Sequence, residues 1–320
     1  MKFLKNTFYV ICYYTGIINL FYWLNRNKQI VVNYHHILPE EAMEDNMIYS
    51  YSHSLEVFKK QLQMMKKRFE FTTEVGKPGT VLLTFDDGAI NNYKYALPVL
   101  EEMNIKAYFF VIDSMVNAKD GELLWVDKWI LWFSNVPYGK YRILDEEVLI
   151  QNEMDREKAR FHFWNKILNN YRLKEIILED LKTNYSFTNF DEYILENSDR
   201  FNFLSLHQIE SMKSAGHKIG YHGMNHDILR KIPIEELQMN LQRIKENKIY
   251  NSNAFAIPFG TDNEMNEQVL STLSENQFSP IFLNYAKSDK SGSIGRINLP
   301  NDTNSYRSNY YLSGLNIAIR

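Results

Sequence analysis

The sequence predicts an α/β protein built on a parallel sheet, either closed into a barrel or doubly wound. Three observations carry this. Short β-branched and aromatic runs at 30–34, 81–85, 107–112, 218–221, 254–257 and 280–283 alternate with stretches whose apolar residues recur every three or four positions. Residues capable of chemistry gather where several of those runs end, the usual location of sites in parallel sheets. The 320 residues, 45% hydrophobic and 23% charged, can bury a large core, which excludes a peptide-like fold and global disorder.

Taken in order, the chain begins with Lys2 and Lys5 and then runs uncharged from 6 to 24, near the ~20 residues that cross a bilayer. Asn6, Thr7, Tyr9, Tyr13, Tyr14, Thr15, Asn19 and Tyr22 make this stretch polar for a span, and no small-residue cleavage site follows it. Residues 1–26 therefore read as an amphipathic helix that packs on the domain or lies on a membrane surface, with a span or a signal peptide as alternatives. This favours a cytoplasmic or membrane-associated location over secretion. Residues 27–320 form the main domain. Its first strand is 30–34, with His35 and His36 at its end. A helix follows at 55–68, where Leu55, Phe58, Leu62 and Met65 recur between lysines. Pro78-Gly79 introduces strand 81–85, Asp86-Asp87-Gly88 stops it, and a helix at 91–103 leads to strand 107–112. From about 119 to 203 the pattern turns to Trp, Leu, Glu and Lys at helical spacing. This reads as a helical insertion covering one side of the site, not as a separate domain. The alternation resumes with helices at 205–215, 235–246 and 266–276 between the later strands.

Lys and Arg number 36 against 39 Asp and Glu, so no overall positive field exists to hold nucleic acid. Cys12 is the only cysteine, which excludes an internal disulfide and leaves any metal site to His and carboxylates.

Thr84-Phe85-Asp86-Asp87-Gly88 places two adjacent carboxylates after a hydrophobic strand. Alternation turns such neighbours apart, so one can hold a metal while the other acts as a base. Asp-Asp-Gly is also ordinary turn chemistry. His222-Gly223-Met224-Asn225-His226 follows strand 218–221, and this spacing can bring two imidazoles to one cation. Two His and one Asp, each after a strand, would form a facial set with open positions. Pro258-Phe259-Gly260 ends a third strand in a turn that sets an aromatic beside such a site.

Together and in this order, these motifs resemble the polysaccharide deacetylase family, the NodB-homology domain of carbohydrate esterase family four. The likeness spans most of 30–300 outside the insertion. It implies a distorted (β/α) barrel of about seven strands. It also implies metal-dependent hydrolysis of acetyl or other acyl groups from N-acetylated amino sugars, on a cell-surface polysaccharide or a lipid-linked glycan precursor. By position, the resemblance makes Asp86 the base and Asp87, His222 and His226 the ligands of one divalent metal. Zinc is the first choice for such a set, which also accepts cobalt, nickel or iron. Pro258, Phe259 and Gly260 become the groove wall, and a backbone N–H after Pro258-Phe259 an oxyanion donor.

Three departures stand out. Position 223 is Gly where the family usually has Ser or Thr. Ala256 replaces an Arg that pairs with the base. The late Leu-x-His that supplies the acid is missing, because no histidine follows His226. First and last strands adjoin in a closed barrel, so a residue after the first strand can take that place. Asn33-Tyr34-His35-His36-Ile37 resembles the Tyr-His motif of the permuted branch that deacetylates poly-N-acetylglucosamine, which implies His35 as the acid and His36 as second choice. A carbohydrate-binding protein that kept the barrel but lost catalysis is the alternative, motivated by positions 223 and 256. Arg296 resembles a recurring Arg near the family's C-terminus without an assigned role. His53, His162, His207 and His217 read as structural or surface residues.

Overall fold

Parallel strands buried on both faces need apolar side chains in both directions, and Thr80–Phe85, with all six residues buried, meets that requirement. The computed structural model describes residues 2–43, 51–261, 265–284, 292–302 and 304–318. The main sheet contains β1 (Ile30–Tyr34), β2 (Thr80–Phe85), β3 (Tyr108–Val111), β4 (Lys218–Tyr221), β5 (Phe255–Ala256), β6 (Ile281–Leu283), β7 (Ile294–Gly295) and β8 (Ile297–Asn298). Their spatial order is β7-β6-β5-β4-β3-β2-β1-β8, all parallel, with a ninth short strand, Glu70–Phe71, pairing off this path with β2.

Only Arg296 separates β7 from β8. One short stretch thus pairs with β6 through its first half and with β1 through its second, which brings the sheet to a nearly closed barrel of eight strands. The fold is the distorted (β/α) barrel expected.

Strand alternation sorts the core into two layers. Val31, Leu82, Tyr108, Phe110, Ala254, Ala256 and Phe282 cluster in the lumen. Val32, Val81, Leu83, Phe85, Phe109 and Val111 face outward, onto Phe58, Leu62 and Met65 of helix Leu55–Lys66 and Leu100 of helix Leu97–Glu102. Continuing the period of two past the strand ends carries the lumen face to Asn33 and His35, to Thr84 and Asp86, and to Asn284 and Arg296. All lie at C-terminal strand ends, so one mouth of the barrel collects the polar side chains.

Among the short strands outside the sequence reading, His36–Leu38 pairs with Ser52–Ser54 just beyond β1. The N-terminal stretch forms two helices, α1 (Lys2–Tyr14) and α2 (Ile17–Leu24), broken at Gly16. No single helix among the described residues is long and apolar enough to cross a membrane, although this bent pair passes by length and composition.

Residues 118–202 form a second compact unit. It is mainly helical, with Glu153–Asn169 and Leu173–Asn184 the longest elements, around buried Trp129, Trp132 and Phe163. It also holds an antiparallel hairpin, Gly139–Ile143 with Glu146–Ile150, where the sequence reading had only helix. Its first strand alternates exposed Lys140 and Arg142 with half-buried Tyr141 and buried Ile143, a period-two signal masked by the Trp-rich stretch before it.

Candidate active site

Asp86 is fully buried, a state that an ionised carboxylate tolerates only when paired and hydrogen-bonded. Arg296, also fully buried, supplies the pairing through two bonds, Nη1 to Oδ1 at 2.6 Å and Nη2 to Oδ2 at 2.7 Å. Asn33 donates to the same Oδ2 at 3.0 Å and to Asn284 Oδ1 at 3.0 Å. Arg296 Nη1 also donates to Asn33 Oδ1 at 2.9 Å, and Thr84 Oγ1 to that oxygen at 2.7 Å. Residues from β1, β2, β8's approach and the end of β6 therefore lock one carboxylate. Burial pushes its pKa up, but Arg296, then His222 and His35, hold it below the usual carboxylate range.

The guanidinium beside Asp86 thus comes from Arg296, while Ala256 lies small and buried in the lumen cluster. The strands on either side of Arg296 are two residues long, too short for sequence alternation to place it, and its partner lies 210 positions away.

Asp87 turns away from Asp86 because its φ is +73°, in the left-handed region that Asp tolerates better than most residues. Its Oδ1 lies 3.2 Å from His222 Nε2 and 3.4 Å from His226 Nε2. One ligand atom from each of the three lies within 4.8 Å of the others. His222 donates its Nδ1–H to the Ala256 carbonyl at 2.8 Å, which leaves the Nε2 lone pair facing Asp87, the tautomer a metal ligand needs. Asp87 Oδ1 is buried with no hydrogen bond of its own. An orphaned carboxylate oxygen between two imidazole nitrogens fits a divalent cation. Burial holds His226 down to about 4 and hence neutral. His222 is pulled down by burial, but Asp86 and Asp87 outweigh this and raise it; the same carboxylate charge favours a cation at this point. Against burial, His222 and His226 hold Asp87 well below the usual carboxylate range.

His35 stands on the lumen face with Nε2 3.9 Å from Asp86 Oδ2, beyond hydrogen-bond reach but close enough to couple electrostatically. Burial lowers its pKa, opposed by Asp87 and Asp86. The exposed ring of Tyr51 lies 5.3 Å from its ring. His36 points the other way. It is buried with Nδ1 2.9 Å from Asn91 Nδ2, while Asn91 Oδ1 receives the Ile37 N–H, so it buttresses the strand end away from the carboxylates.

The Phe259 ring packs 4.7 Å from that of His226. Phe259 has φ +61° and Gly260 φ +55°, and a Cβ at 260 would sit 2.7 Å from Asn284 N, so only glycine fits this turn. The Gly260 N–H donates to Pro258 O at 2.7 Å, which removes it as an oxyanion donor. Gly223 has φ +79°, a conformation that a Ser or Thr would strain.

The family model for polysaccharide deacetylases matches residues 73–153, which include Asp86 and Asp87 and end before His222. No curated protein matches the chain. Among solved structures, IcaB from Ammonifex degensii is similar at TM-score 0.53 and 19% identity, over 90% of this chain and 97% of that one. The Streptococcus pyogenes deacetylase PplD, in complex with acetate, gives 0.54 and 17% over 89% and 98%. A de-N-acetylase from Aggregatibacter actinomycetemcomitans gives 0.51 and 13% over 89% and 100%. The chain thus matches the polysaccharide deacetylase model over 73–153 and has a fold similar to those proteins, and polysaccharide deacetylases are the family it resembles.

Proposed function

We propose that this protein is a metal-dependent carbohydrate deacetylase that hydrolyses the acetamide of an N-acetylated amino sugar in a polysaccharide or a lipid-linked glycan. One observation carries the reading: an Asp-His-His donor set with both histidines buried adjoins a second carboxylate that a guanidinium holds in place. When bound by Asp87, His222 and His226, a divalent cation, zinc before cobalt, nickel or iron, supplies Lewis-acid polarisation of the acyl carbonyl and of the attacking water.

Asp86, ionised at neutral pH and fixed by Arg296 and Asn33, accepts the proton of the water whose oxygen attacks the carbonyl carbon. His35, on the same lumen face, donates a proton to the sugar nitrogen as the carbon–nitrogen bond breaks. Its lowered pKa makes the imidazolium a stronger acid, and the two carboxylates beside it stabilise the cation it must pass through. Acetate and the free amine leave. PplD, similar in fold, is in complex with acetate, the acid this reaction would release. Pro258, Phe259 and Gly260 form a wall beside His226.

The test is metal content together with acetate release from N-acetylglucosamine oligosaccharides. The native chain is expected to bind about one divalent ion and release acetate, and Asp87→Ala and His222→Ala to lose both. Retention of stoichiometric metal and full turnover in either variant would overturn the ligand assignment. Tight oligosaccharide binding without acetate release would instead support the carbohydrate-binding alternative.

A further inference from the structure

Helices α1 and α2 each bury one face. Cys12 and Ile18 are nearly inaccessible and pack with Tyr310 and Leu315 of the C-terminal helices Ser305–Leu312 and Leu315–Ala318. Tyr22 donates to Asn309 Oδ1 at 2.9 Å and Asn25 to the Ser313 carbonyl at 2.8 Å. The opposite face is open and mainly apolar, with Thr15 and Asn19 among its exposed polar residues. Phe8, Ile11 and Tyr14 recur three apart on α1, and Ile17, Leu20, Trp23 and Leu24 continue on α2, all between 38% and 71% exposed. No charged residue occurs from 6 to 24.

Cations border this face at its end. Arg26 lies with its guanidinium 4.5 Å from the Trp23 ring centre and donates to the Trp23 carbonyl, and exposed Lys28 follows. Arg68 stacks 4.5 Å over Tyr22. An apolar helical face edged by Trp and Arg matches a bilayer interface, with rings at headgroup depth and guanidinium groups at phosphates.

Neither helix can span. At 1.5 Å per residue α1 is about 20 Å long and α2 about 12 Å, against a hydrocarbon core of about 30 Å. They meet at 71°, and their inner faces are committed to the protein. We propose that α1 and α2 form a docking surface that lies in the plane of an anionic lipid membrane. Apolar side chains enter the acyl boundary and Arg26, Lys28 and Arg68 engage phosphate headgroups. This goes beyond the deacetylase reading and does not depend on it.

The experiment is co-sedimentation of the full chain with vesicles of phosphatidylcholine alone or mixed with phosphatidylglycerol. The chain is expected to bind the mixed vesicles at least about tenfold more tightly, with binding weakened by salt. Leu20→Ser/Trp23→Ser should lose roughly tenfold or more on both vesicles. Arg26→Glu, a charge reversal that leaves every apolar side chain of the face in place, should lose about fivefold or more on mixed vesicles and far less on phosphatidylcholine alone. Far-ultraviolet circular dichroism checks that each variant folds. A full chain that stays in the supernatant with both vesicles would overturn the proposal, as would variants that bind like the native chain. So would a dimer in light scattering that Leu20→Ser/Trp23→Ser dissolves, since a second copy would then cover the face. Acetate release from a soluble oligosaccharide is measured alongside. Its absence in every variant would count against the deacetylase reading and leave the vesicle result intact.

Discussion

Replacing Arg296 with Met keeps most of the side-chain volume and removes every donor around Asp86 that carries a charge. Arg296 makes six side-chain hydrogen bonds, to Leu283 O, Asn33 Oδ1, Thr84 Oγ1, both Asp86 oxygens and Asn284 Oδ1. Both partners of the ion pair are 0% exposed, so solvent cannot screen the carboxylate left behind. Removing one member of a buried pair costs about 3–5 kcal/mol. The pH dependence gives a second handle. In the native chain the Asp86 pKa is depressed, so its contribution is present above the unfolded value of about 3.9 and is lost as pH falls through the lower folded value. Between pH 7 and 5 Asp86 therefore changes nothing in the native chain. In Arg296→Met burial is left with weaker opposition, the pKa rises, and the destabilisation is greatest at neutral pH and shrinks towards pH 5. Adding Asp86→Asn removes the stranded charge and should recover at least about 2 kcal/mol. The assay is urea unfolding in chelator, so that bound metal adds no mass-action stability. A cost below about 1 kcal/mol at pH 7, an equal cost at pH 5, or no recovery in the double variant would refute the reasoning.

His35→Ala should lower turnover on an N-acetylated oligosaccharide by about a hundredfold while metal content, read by plasma emission, stays unchanged; equal turnover would remove His35 from the proton path. His53, whose Nε2 lies 2.8 Å from the Leu299 carbonyl while Nδ1 is buried without a partner, is pushed down to about 4 by burial. The unfolded chain takes up its proton near 6.5 and the folded chain only near 4. Native stability should thus fall by up to about 3 kcal/mol across that window, and urea midpoints of His53→Gln should lack this portion. Gly260→Ala would put a Cβ 2.7 Å from Asn284 N and 2.9 Å from Ile257 O at φ +55°, and should cost more than about 2 kcal/mol in thermal unfolding.

The split of roles between His35 and His36 was within reach of the sequence, since residues 31, 33 and 35 share one strand face and 34 and 36 the other. The two side chains do point to opposite sides: His36 bonds Asn91, and His35 lies 3.9 Å from Asp86. The strand Ile294–Asn298 was not legible, because five residues crossing between two neighbours leave too short a pattern for periodicity to register. The two-helix break of residues 2–24 was legible only as a doubt about a span, since Gly16 with φ +80° marks a turn only once the inner face has a partner.

By itself the sequence determined the alternation of the longer strands and helices and the motifs at the strand ends. These are local properties, set by a period of two or 3.6 and by turn chemistry within a few residues. Only the tertiary structure decided that Arg296 pairs with Asp86, that Asn33 holds Asp86 while Asn284 accepts from Asn33 and Arg296, and that Asp87 meets His222 and His226. Asp86 and Arg296 lie 210 positions apart and Asn33 and Asn284 lie 251 apart, and they meet because the nearly closed barrel sets β8 beside β1; Asp87 meets His222 and His226 because β2 and β4 flank β3.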